Sequence, residues 1–290
     1  MTNDPGKPST HSMTLLVTSA SGHNGSGLGK IVAFNPQGKL IGPFSDDDRI
    51  ADPRGLGIEP SERLLFVNSG TDCVVALDPS GQVVRTTSTI PGLNPGGGVF
   101  GPDGRYYVGS RTARTIIALP KELDSVGEYV LPVHVVPFPR GFGFGSDGTR
   151  FLASGVGPDG VGDDAIFAFA STGSAKLPWQ VDDPKLSPLD LLVAPNGNIL
   201  VSSEKPFGSP DAITSVREYD AKDGRLVRVM RPGDGVPFRK PRGLRFGPDG
   251  LLYCVARDTV VAFNFETGQC MGVAVEFPNL YGQALIFYPD

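Results

Sequence analysis

The sequence predicts an all-β protein, a six-bladed β-propeller with four-stranded blades, and three observations carry that prediction. One motif recurs along the chain: a glycine, a short apolar strand, a Gly/Pro/Asp turn, a second apolar strand, and a third strand of the form apolar-apolar-Ala-aromatic or Leu. The recurrence is periodic, with inner strands starting at 55, 97, 141, 190, 243 and 284, between 41 and 53 residues apart. A unit of that size cannot bury its own apolar face, so it must stack against copies of itself. The ends of the chain are complementary as well. Gln283-Ala-Leu-Ile-Phe-Tyr-Pro-Asp290 supplies only an inner strand, whereas Met13-Thr-Leu-Leu-Val-Thr18 and Ile31-Val-Ala-Phe-Asn-Pro-Gln-Gly38 have the form of a second and a third. The sixth blade is therefore expected to be split between the termini, a closure that leaves no open sheet edge in the ring.

Taken in order, the first blade holds Gly55-Leu-Gly-Ile58 and Val74-Val-Ala-Leu-Asp78. The second holds Gly97-Gly-Val-Phe-Gly-Pro-Asp-Gly104 and Ile116-Ile-Ala-Leu119, and the third Gly141-Phe-Gly-Phe-Gly-Ser-Asp-Gly148 and Ile166-Phe-Ala-Phe169. The fourth copy is looser, Asp190-Leu-Leu-Val-Ala-Pro-Asn-Gly197 with Val216-Arg-Glu-Tyr-Asp220, and the fifth is clear, Gly243-Leu-Arg-Phe-Gly-Pro-Asp-Gly250 with Val260-Val-Ala-Phe-Asn264. The Asp-Gly and Asn-Gly pairs at 103–104, 147–148, 196–197 and 249–250 sit between apolar runs and are expected to supply the positive backbone angles of tight hairpins. Asn35-Pro-Gln-Gly38, Asp78-Pro-Ser-Gly81 and Glu266-Thr-Gly268 mark the turn after the third strand. No amphipathic helix is predicted; Lys121-Glu-Leu-Asp124 is at most one turn.

Composition bounds the function classes. Thirty-nine glycines and 27 prolines in 290 residues, beside 39% hydrophobic residues, fit a turn-rich protein that still builds a large core. Residues 13–290 are read as one closed domain and the polar residues 1–12 as a flexible leader. A net charge of −5 without a basic run argues against nucleic acid. No stretch approaches the roughly 20 apolar residues of a membrane span. Cys73, Cys254 and Cys270 lack metal-site spacing, so buried reduced thiols in a cytoplasmic monomer are expected.

Function is expected on the face that carries the long loops, Ala20–Gly29, Gly155–Asp164 and Glu204–Ile213, because irregular loops on a rigid scaffold carry binding. The positions just before the inner-strand anchors hold Arg54, Gly96, Arg140, Leu189 and Arg242. The ends of the second strands hold Ala20, Gly70, Arg111, Gly155, Glu204 and Arg257. The channel mouth is thus expected to collect five arginines, Arg54, Arg111, Arg140, Arg242 and Arg257, as ligand-binding residues. Guanidinium forks match carboxylate and phosphate geometry, which points to a small anionic molecule. The alternative is that each arginine pairs with a carboxylate, Glu204, Asp190, Asp72 or Asp258, and clamps neighbouring blades. Candidate acid–base residues are Glu204 first, then Asp190, His23 and Tyr281. His134, in an apolar stretch, is expected to be a packed strand residue. No phosphate loop, zinc cluster, nucleophile elbow or dinucleotide fingerprint is present, so no cofactor is expected.

The Pro-x-Gly anchor, the Gly-Pro-Asp-Gly turn and Val-Val-Ala-Phe-Asn resemble NHL-repeat propellers and their relatives, the gluconolactonase/regucalcin-like and streptogramin-lyase-like six-bladed propellers, over the chain from about residue 13. Lactonases of this shape hold a divalent cation with Glu, Asn and Asp, several at the x of the anchor. Here Arg54, Arg140 and Arg242 stand in those places, and only Asp190 and Glu204 remain as ligands. The resemblance to the lyases implies histidines at the anchors, but the histidines of this chain are His11, His23 and His134. The resemblance to strictosidine-synthase-like propellers, which use a glutamate near the channel, singles out Glu204. Three functions follow as expectations: an anion-binding propeller with metal-independent lyase, isomerase or hydrolase chemistry, a non-catalytic scaffold that docks a protein on the long-loop face, and a divalent-metal lactonase.

Overall fold

Strand pairing in the computed structural model, which describes residues 13–20, 30–157, 160 and 162–289, builds six antiparallel sheets of four strands each. The inner strands of blades 1 to 6 are Gly55–Ile58, Pro95–Phe100, Pro139–Phe144, Pro188–Val193, Pro241–Phe246 and Gly282–Pro289. Every predicted anchor lies in one of them. Each inner strand touches the next, and the sixth touches the first, which closes a six-bladed ring. No helix occurs among the described residues, and 121–122 form a turn. No helix is long and apolar enough to cross a membrane.

Blade 6 is split as expected. Its inner strand, Gly282–Pro289, pairs with Met13–Ser19, which places Leu15 opposite Phe287 and Val17 opposite Leu285. Thr18 and Ser19 fasten the seam: Thr18 Oγ1 accepts from the Ala284 amide at 2.9 Å, and Ser19 Oγ donates to the Leu280 carbonyl at 2.6 Å.

Six apolar clusters fill the six gaps between blades. Alternate residues of one strand feed opposite clusters. In blade 1, Phe66, Val74 and Ala76 pack toward blade 2, whereas Leu65, Val67 and Val75 pack toward blade 6. Both sheet faces are buried, so these strands are continuous apolar runs rather than alternating ones, as in other sheets covered on both sides.

Two features set the geometry of the axis. Proline opens the inner strands of blades 2 to 5, a position where its missing N–H costs no ladder bond. Just after it the inner strand carries one more residue than its partner: the register shifts between Pro95 and Gly98, Pro139 and Phe142, Pro188 and Asp190, and Pro241 and Leu244. A bulge of this kind re-aims a side chain out of the pleat. Glycine stands next to it in blades 2, 3 and 5, where the inner strands crowd together. A Cβ on Gly141 would lie 2.1 Å from Asp190 Oδ1 and 2.4 Å from the Leu191 amide.

Three expectations need correction. In the hairpin turns only glycine takes the left-handed region, Gly104, Gly148, Gly197 and Gly250 at φ 78° to 85°. The preceding Asp or Asn acts through its side chain, whose Oδ1 accepts the amide two residues on, at 2.9–3.2 Å in all four turns. His134 is no packed strand residue: it is exposed in a turn at φ 65°, since the apolar stretch around it forms a loop. Cys73 and Cys254 are buried, but Cys270 is only half-buried, on an outer strand.

The crowding at the axis makes a test. Gly141→Ala should lower stability by about 3 kcal/mol through overpacking. Gly104→Ala, with open space around it and only an unfavourable φ, should cost about 1 kcal/mol. Urea denaturation of the two variants measures the difference, and equal losses would contradict the packing of Gly141 against Asp190.

Candidate functional site

The bulged Pro-Arg-Gly anchors, with Pro53-Arg54-Gly55 of blade 1, bring side chains to the axis. Arg54, Arg140 and Arg242 line one cavity together with Arg111 from the end of a second strand. Glycines 55, 97, 98 and 243 form much of its wall, and the enclosed space is about 50 Å³. Four of the five predicted arginines therefore share one mouth.

Arg140 lies at the centre of the group. Its Nη2 donates to the Val156 carbonyl at 2.8 Å. Its Nε is buried without a partner, pressed against Gly155, where a Cβ would come within 2.9 Å. Its guanidinium sits over the rings of Phe138 and Phe207 at 4.7 and 4.8 Å. Arg111 shares the Phe138 ring at 5.5 Å and Arg242 shares Phe207 at 5.6 Å, so guanidinium and ring alternate as Arg111, Phe138, Arg140, Phe207, Arg242. Cation–π contacts are worth most when both partners are desolvated. Burial, then the charges of Arg242 and Arg54, lower the Arg140 pKa to about 10, against the opposite pull of Asp164 and Glu204.

Arg54, Arg242 and Arg257 have carboxylates. Arg54 clasps Asp52 through Nε at 2.8 Å and through Nη2, with Nη1 3.5 Å from Asn94 Oδ1. Arg242 reaches Glu204 at 3.4 Å; burial lowers its pKa and Glu204 opposes the shift. Arg257 stands beside the group rather than in it. It pairs with Asp258 at 3.4 Å, lies over the Tyr281 ring at 4.7 Å, and donates to the Tyr281 hydroxyl at 3.2 Å. With Arg242, Lys240 and Gln283, Arg257 and Tyr281 bound an adjoining space of about 330 Å³. Among the described residues, Arg111 and Arg140 form no ion pair.

Of the acid–base candidates, Glu204 is 2% exposed and engaged by Arg242. Asp190 lies deeper and straps blade 4 to blade 5: its Oδ2 accepts the Leu244 amide at 3.0 Å and lies 3.6 Å from Arg245. Burial raises the Asp190 pKa, while Arg245 and the Leu244 and Leu191 amides oppose the rise. Tyr281 serves Arg257. His23 and His11 lie outside the described residues. Asp72 accepts the Asn94 amide at 2.6 Å instead of an arginine.

Four contributors escape the sequence analysis. Asp52 was legible in principle, two residues before Arg54. Phe138 precedes an anchor proline, and Phe207 belongs to a long loop already singled out. Arg245 sits where other blades carry Gly57, Val99 or Gly143, so no repeat pattern reveals it. It lines the same cavity as Arg242 and donates to the Leu56 carbonyl of blade 1 at 3.1 Å.

The donors at the mouth do not fit a divalent cation. Such ions take six or more oxygen ligands for calcium, or a near-ideal octahedron for magnesium. The two carboxylates of the mouth that the lactonase pattern leaves, Asp190 and Glu204, each face an arginine. Among the described residues, no group of three or more His, Cys, Asp or Glu is placed to hold a metal.

No family model matches the chain, and no curated protein matches it in sequence. Its structure is similar to a chain of the nidogen/laminin complex, with TM-score 0.73 and 12% identity over 95% of this chain and 98% of that one. It is also similar to a gluconolactonase from Xanthomonas campestris, with TM-score 0.61 and 16% identity over 94% and 90%. For a streptogramin B lyase the values are 0.59 and 16% over 82% and 76%. At such identities the likeness is one of fold.

The lowered Arg140 pKa has a chemical readout, because dicarbonyl reagents attack only neutral guanidine. Brief treatment with methylglyoxal at mildly alkaline pH, followed by peptide mass spectrometry, should find Arg140 modified ahead of exposed arginines such as Arg225. Modification of Arg225 first would contradict the environment described for Arg140.

Proposed function

We propose that the protein binds a small anionic metabolite at the arginine-lined mouth of the propeller. One observation carries the reading: Arg111 and Arg140 converge on a largely buried cavity and, among the described residues, have no carboxylates of their own, while Arg54 and Arg242 beside them are paired. A desolvated charge without a partner is costly, by several kcal/mol per ion, and an anion gains affinity to the extent that pairing with it outweighs the anion's own desolvation. Guanidinium presents charge-assisted donors suited to carboxylate and phosphate oxygens. A space of about 50 Å³ is several times the roughly 10–15 Å³ that one water needs on the same measure, so it admits a group of a few heavy atoms.

The reading extends to metal-independent turnover of that anion by lyase, isomerase or hydrolase chemistry, with Glu204 as the acid–base group beside Arg242. The likeness to a streptogramin B lyase and to a gluconolactonase supports a chemical role only at the level of fold. A second reading, a non-catalytic scaffold that docks a protein on the same face, draws on the likeness to a chain of the nidogen/laminin complex.

Thermal unfolding with a panel of small carboxylates and phosphates tests the first reading. At a hundredfold excess over Kd a ligand adds about 2.7 kcal/mol, which raises Tm by about 5 °C for a chain of this size. Arg140→Gln should abolish the rise. Glu204→Gln should keep it and remove any turnover. A Tm unmoved across the panel, or moved equally in Arg140→Gln, contradicts anion binding and leaves the docking reading.

A further inference from the structure

We propose that the anion accepted by this mouth is a compact dianion, either a phosphate monoester group or a short dicarboxylate; the proposal rests on the anion-binding reading above and specifies the charge of the ligand. The basis is a count of charges at one cavity. Five arginines line it: Arg54, Arg111, Arg140, Arg242 and Arg245. Three carboxylates answer them, Asp52 to Arg54, Glu204 to Arg242, and Asp190 to Arg245. Among the described residues, five guanidiniums against three carboxylates leave two positive charges, and both belong to identified residues, Arg111 and Arg140.

The two are neighbours. Both guanidiniums lie against the one ring of Phe138, and each has a buried Nε without a hydrogen-bond partner. The nearby Asp164 does not make up the deficit at short range, because it is held by Lys205 at 2.7 Å and by the Ser187 hydroxyl at 2.9 Å. A monoanion would therefore leave one guanidinium uncompensated in a site screened from water, where charges interact more strongly than in bulk solvent. A dianion satisfies both. The small enclosed volume adds the requirement that the two charges be close together, on one phosphorus or on carboxylates separated by one or two carbons.

The test compares dianions with monoanions that carry the same kind of oxygen group, at about pH 8 so that inorganic phosphate is mainly the dianion. Isothermal titration of the full chain at fixed ionic strength would use inorganic phosphate against dimethyl phosphate, and malonate against acetate. The expected result is binding of at least one dianion about tenfold or more tighter than its monoanionic counterpart, a factor equal to 1.4 kcal/mol. Which dianion wins identifies the chemistry of the head group. Arg111→Gln and Arg140→Gln, checked by circular dichroism for intact strand content, should each bring the two affinities within about threefold, since one residual charge has no need of a second negative charge. Equal affinities for mono- and dianions in the parent protein overturn the dianion proposal while leaving the anion site standing. Failure of every anion to bind overturns both. The comparison within the parent protein decides the matter even if a variant does not fold.

Discussion

One extra residue in an inner strand governs what the axis of this propeller contains. In a regular strand successive side chains alternate between the two faces, and a slip of one residue exchanges them. Here both faces of every blade are apolar core, so a regular inner strand would send its residues into the gaps between blades. The bulge after the opening proline breaks that alternation in blades 2 to 5 and releases one position per blade toward the centre. In blades 3 and 5 that position is Arg140 and Arg242. In blades 2, 3 and 5 glycine follows, where the strand that turns one side chain inward brings its own backbone against the next blade, as Gly141 does against Asp190.

The electrostatic consequence is a group of like charges held apart by aromatic rings. Phe138 and Phe207 alternate with Arg111, Arg140 and Arg242, so each guanidinium meets a π face where water would otherwise be. Three carboxylates neutralise part of the charge, and burial together with the neighbouring arginines disfavours what is left on Arg140. A fold selected for stability alone would place apolar residues there, since well-packed hydrophobic replacements of buried ionic groups are often neutral or stabilising. Retaining a pair that is uncompensated among the described residues is the kind of local cost that proteins bear at functional positions.

The ring was legible in the sequence because its determinants are local and repeated. Anchors, turn glycines and the split sixth blade all follow from spacing, and the structure places each of them accordingly. The arginine group was legible for a related reason: Arg54, Arg140 and Arg242 hold equivalent repeat positions, so one alignment brings them together. What stayed hidden breaks the repeat. Arg245 occupies a position that is glycine or aliphatic in other blades, and Phe207 lies in a loop with no counterpart elsewhere. Partner choice was hidden too. Glu204 as the partner of Arg242 could be foreseen, but the pairing of Asp190 with Arg245, and the diversion of Asp72 to the Asn94 amide, depend on side-chain reach across blades. Arg257 was misplaced by half a step, drawn aside by Asp258 and Tyr281.

The side chain of Arg245, stretched from Asp190 of blade 4 to the Leu56 carbonyl of blade 1, has a consequence for traffic through the molecule. A propeller with an unobstructed hub is a tunnel, and whatever enters at one rim can depart at the other. Arg245 lies on that route and joins blades 4, 5 and 1 at the hub, so any passage from rim to rim would meet its guanidinium.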